Sequence, residues 1–86
     1  LQFLGEFESA IQTLLQATEF YPEENEIEYR LAGIYFMIQD TTKAKFHLSN
    51  GLRLNFDNYI LIEDLFPVVW SKKAVQNYIA KHKKAE

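Results

Sequence analysis

Displaced by 34 residues, the chain lies over itself at its small residues: Ala10 falls on Ala44, Leu14 on Leu48 and Ala17 on Gly51. Within each set the two small residues stand seven positions apart, which on an α-helix places them on one face. Small side chains there allow a neighbouring helix to approach closely, and the leucine between them fills the space beside that approach. Repeated at a fixed period, such a pattern belongs to units that cannot bury their apolar faces alone and must stack.

The segments around this period read as amphipathic helices. Phe7, Ala10, Ile11 and Leu14 follow i, i+3, i+4, i+7, and Ile27, Leu31, Ile34, Tyr35 and Ile38 form a second stripe of the same kind. Pro22 is expected to end the first helix, and Asn25 with Glu28 three positions on resembles a capping box for the next. Asp40-Thr41-Thr42 supplies a turn and cap before a third helix, Asp57-Asn58 before a fourth, and Ser71 before a last one carrying Ala74, Val75, Tyr78, Ile79 and His82. Pro67 falls inside the fourth and is expected to end or kink it. Links this short force successive helices to pack antiparallel.

The period and the residues that keep it resemble the tetratricopeptide repeat. In the middle unit Leu31-Ala32 stands where the family has Leu-Gly, Tyr35 holds its tyrosine, Ala44 its first alanine, Leu48 its phenylalanine and Gly51 its second alanine. Glu28 replaces the family's tryptophan and Phe56 its closing proline. Gly5 falls in the turn of the first unit, followed by Ala10, Leu14, Ala17 and Pro22. The resemblance implies an all-α, right-handed superhelix of antiparallel helix pairs, about five helices in this chain. Residues 1–22 are the second half of a first repeat, 23–56 a complete repeat, and 57–86 a degenerate repeat serving as a C-terminal cap. Lys72, Lys73, Lys81, Lys83 and Lys84 suit the watered face of such a cap. Beginning at Leu1 rather than Met, the chain is expected to be the end of a longer array. Phe7 and Ile11 then lack their covering helix, which predicts self-association through that face.

Charge and composition narrow the function. With 48% apolar and 15% aromatic residues, the 86-residue chain can build one packed domain. It contains no cysteine, which removes disulfides and thiolate chemistry and leaves the compartment open. Its two histidines, His47 and His82, have no zinc-type spacing with a third ligand, and no glycine-rich phosphate loop or calcium loop is written here. A lone histidine on a repeat's outer helix reads as a surface or half-packed residue. The expectation is a non-enzymatic protein without cofactor or metal. A net charge of -3 disfavours nucleic acid despite the basic tail KKAVQNYIAKHKK, and no apolar run approaches membrane-spanning length. The first 28 residues hold seven acids and no Lys or Arg, whereas the rest hold nine bases and five acids. That asymmetry permits head-to-tail stacking, although acids at helix starts and lysines at helix ends also simply complement the macrodipole.

In the tetratricopeptide family the first helix of each unit lines a concave surface. The resemblance places Glu26, Tyr29, Arg30, Gly33, Phe36 and Met37 there, as the binding face for a protein or peptide. Tyr29, Phe36 and Met37 lie off the apolar stripe and either line that groove or meet the following helices. With Arg30 as its one base, such a groove suits an apolar or basic segment better than a terminal carboxylate. Trp70 either packs beneath the last helix or anchors a partner, and packing is preferred. The expected function is an interaction scaffold. The alternative is a structural cap or self-association module, with any activity residing in sequence upstream.

Overall fold

The computed structural model describes residues 2–83, with side chains from residue 5 onward. Leu1 and residues 84–86, including the expected cap lysine Lys84, lie outside the described residues. The protein is all-α: 84% of the described residues are helical, and no strand occurs among them. The helices are α1 (Gln2–Phe20), α2 (Asn25–Met37), α3 (Thr41–Leu54), α4 (Ile60–Leu65), α5 (Pro67–Trp70) and α6 (Lys73–Lys81), with a 3-10 turn at Phe56–Tyr59. Six described helices stand against the five expected, because the break at Pro67 divides one of them. Phe66 leaves the helical region (φ -134°, ψ 63°), and Pro67 restarts the chain at a helix N-terminus, where its missing N–H costs nothing.

Several local expectations are corrected. Gly5 lies within α1 and not in a turn, since no proline or capping residue interrupts the run from Gln2. The expected capping box of α2 does not form: Glu24 is the cap residue and its side chain bonds nothing there. Asn25 instead accepts from Asn58 Nδ2 at 2.6 Å, tying the start of α2 to the 3-10 turn, while Glu28 turns inward. Asp57-Asn58 falls inside that turn instead of capping α4. Ser71 closes α5, donating from Oγ to the Val68 carbonyl, and Lys72 caps α6. Asp40 does cap α3, accepting from the Lys43 amide at 3.3 Å.

The link from α2 to α3 is a Schellman motif. Gln39 takes φ 67°, its N–H reaches the Phe36 carbonyl at 3.1 Å, and the Asp40 N–H reaches Tyr35 at 2.9 Å. So tight a reversal lays α3 back along α2, and these two make the most extensive helix contact in the chain. Ala44, Leu48 and Gly51 are all buried at that contact. Gly51 makes the approach close there: a Cβ at this position would stand 3.2 Å from the Tyr29 ring, which would have to give by a few tenths of an ångström.

The buried side chains form two clusters. One, around Tyr29, Leu48, Ile62 and Val69, joins α2 and α3 to α4, α5 and α6. The other, around Ile11, Leu31, Ile34, Tyr35 and Ala44, joins α1 to α2 and α3. Phe66 packs against both. Ile11 is therefore covered within the chain and Phe7 is half-buried, so the stripe expected to be bare is turned onto α2. Among the described side chains of α1 the exposed large apolar ones are Leu15 and Phe20, toward its far end, continuing into Tyr21.

Candidate functional site

Of the six residues expected to face a partner, the structure takes two into the core. Tyr29 is fully buried; its hydroxyl donates to the Asn55 carbonyl at 2.7 Å, with the Phe56 carbonyl at 3.2 Å. Burial, and then the Asp57 carboxylate, push this phenol well above the ordinary tyrosine range. Gly33 is buried because the Phe66 ring occupies the space a Cβ would need. Between the two alternatives for the off-stripe residues, packing against the following helices accounts for Tyr29. Glu26, Arg30 and Met37 remain exposed at i, i+4 and i+11, a single α2 face interrupted at Gly33 by Phe66. Phe36 is half-buried.

Two open clefts flank α6 at its two ends. The larger, about 590 Å³, is bounded by Leu52, Arg53, Phe56, Asp57, His82 and Lys83. It contains none of the expected residues, and its rim carries both signs of charge. Its His82 ring is held through Nδ1 to the Tyr78 carbonyl at 2.9 Å. The smaller, about 430 Å³, lies where the C-terminus of α2, the start of α3 and the start of α6 meet. Phe36, Val75 and Tyr78 form its apolar wall, and Lys45 and Lys72 its charged rim. Lys45 Nζ stands 5.5 Å from the Tyr78 ring centroid, and the Tyr78 hydroxyl donates to the Lys45 carbonyl at 3.4 Å, so α3 and α6 are clasped across this cleft. The nearest acid in sequence, Asp40, is committed to its cap.

Sequence reasoning found Phe36 but missed the other side of this cleft. Lys45, Lys72 and Tyr78 lie on segments read as outer helices and cap, and only the α3–α6 approach brings them beside Phe36. It also missed a buried polar pair. His47 and Glu28 Oε1 are 2.8 Å apart between α3 and α2, both side chains nearly inaccessible, and Asn50 Nδ2 donates to the same oxygen at 3.3 Å. The His47 ring is stacked on Tyr35 at 5.5 Å and met edge-on by Phe46 at 5.0 Å. A signal was present: Glu28 stands where the repeat pattern has an apolar signpost, and a buried carboxylate needs a partner. His47 is thus a core residue rather than a surface or half-packed one. Trp70 packs as preferred, half-buried and stacked on Tyr59 at 5.6 Å, with its carbonyl accepting from Gln76.

Among the described residues no group of three or more His, Asp or Glu side chains is placed to hold a metal, and no helix is long and apolar enough to cross a membrane. Glu28–His47 is the one acid–base side-chain contact among the described residues, where no Lys or Arg pairs with an Asp or Glu. No protein-family model matches the chain, and neither a curated protein nor a solved structure matches it.

Proposed function

We propose that this chain is a non-enzymatic interaction module of tetratricopeptide type, which holds a protein or peptide partner at the cleft between α2, α3 and α6. In this reading α1 is the second helix of one repeat, α2 and α3 are a complete repeat, and the broken α4–α5 with α6 is a degenerate closing repeat. The burial of Ala44, Leu48 and Gly51 between α2 and α3 supports that assignment. The observation that carries the binding reading is the cleft itself: an apolar wall of Phe36, Val75 and Tyr78 under Lys45 and Lys72, which meet no acid among the described residues. A wall and rim of this kind favour a short acidic segment bearing an aromatic or large apolar side chain. This replaces the basic or apolar ligand that the sequence favoured, because Tyr29 is withdrawn into the core and two lysines enter the surface.

The test is an array of acidic heptapeptides, each with one or two aromatic residues, probed with the protein alongside a charge-reversed array. Selective binding to the acidic array, reduced at least tenfold by Lys45→Glu with Lys72→Glu, is the expected result. Equal binding to both arrays, or binding unchanged in the variant, would overturn the reading. Both lysines are exposed, so circular dichroism of the variant should match the parent.

A further inference from the structure

The chain itself displays a segment with the chemistry this cleft calls for. At the end of α1 and in the turn that follows, Phe20 is 77% exposed and Tyr21 64% exposed, and Glu19, Glu23 and Glu24 flank them, all exposed and without a basic partner among the described residues. Two neighbouring aromatic side chains so fully in water form an unusual knob, since large apolar groups in a small domain are ordinarily drawn inward. Pro22 follows directly, so the turn that carries the knob is stiff.

Knob and cleft cannot meet within one molecule. The knob stands at the N-terminal end of α2 and the cleft at its C-terminal end, and the 13 residues of α2 hold them roughly 20 Å apart. Their charges are opposite and their apolar groups are of one kind. We infer that the partner seated in the cleft is a second copy of this chain, whose Phe20–Tyr21 knob packs on Phe36, Val75 and Tyr78 while its glutamates meet Lys45 and Lys72. The inference rests on the cleft reading given above and names its occupant. Because the two surfaces differ, the contact is head-to-tail: each bound pair leaves one knob and one cleft free, and assembly continues into open chains or closes as a ring. This association uses the opposite end of α1 from the Phe7 and Ile11 face that the sequence suggested.

Sedimentation equilibrium from about 10 μM to 1 mM tests it, at low and high salt. The expected result is a mass that climbs with concentration beyond two chains and falls back with salt. Phe20→Ala with Tyr21→Ala, and separately Lys45→Glu with Lys72→Glu, should each give a monomer at every concentration. Mixed in equal amounts, the two variants should form a dimer and nothing larger, since one intact knob and one intact cleft remain. A parent chain that stays monomeric at 1 mM, or a mixture that does not pair, overturns the inference. If the acidic peptide array is nevertheless bound through Lys45 and Lys72, the cleft reading stands and only its occupant is wrong. If the array is not bound either, both fall together.

Discussion

Helices α1 and α2 carry apolar stripes of the same spacing, yet they end in different surroundings. α1 packs chiefly on α2, and among its described side chains those off the stripe are exposed or half-exposed, none buried. α2 is touched by α1, α3, the 3-10 turn, α4 and α5, and there a second set of residues off the stripe is buried as well, Glu28, Tyr29, Ala32 and Gly33, while Glu26, Arg30 and Met37 stay exposed. A 3.6-residue period specifies one buried face. Whether a second face is buried depends on how many neighbours arrive, and those neighbours are written elsewhere in the chain.

Substitutions on the two helices should therefore diverge. The largest effect is expected from His47→Ala, which leaves the Glu28 carboxylate buried beside α3 with only Asn50. Leaving one member of a buried hydrogen-bonded pair without its partner costs about 3 kcal/mol, measurable as a lowered urea midpoint, and a loss under about 0.5 kcal/mol would mean that water reaches Glu28. Next is Gly33→Ala. In an open helix this exchange is stabilising, but the new methyl would meet the Phe66 ring, and a net loss of about 2 kcal/mol is expected from overpacking. Unchanged or increased stability would show that Phe66 does not sit on Gly33. The smallest effect is the same exchange on α1. A Cβ at Gly5 meets nothing within 4 Å, so Gly5→Ala should raise stability by about 0.5–1 kcal/mol. A loss there would erase the distinction between the two helices.

The same contrast explains how far the sequence could be read. The stripes of α1 and α2, the cap at Asp40 and the break at Pro67 depend on residues within a few positions of one another, and each is found in place. Glu28 and Asn25 were misplaced because a capping box is also a local pattern, whereas here both side chains are claimed by residues far along the chain, His47 and Asn58. The cleft was half visible for a related reason. Phe36 could be picked out as an apolar residue off its stripe. Lys45 and Lys72 look like solvated lysines until α6 is laid against α3.

Phe66 carries a consequence for how the molecule comes apart. Stacked helical units are able to fray one at a time, each boundary yielding independently. Here the Phe66 ring, displaced from helical geometry by the break before Pro67, is lodged together with the Phe36 ring between the cluster that holds α1 and the cluster that holds α6. Opening either side strips the same ring of half its cover, so neither half melts without loosening the other. The interruption that spoils one helix thus also ties the two clusters to each other, and coupled rather than stepwise melting is expected from it.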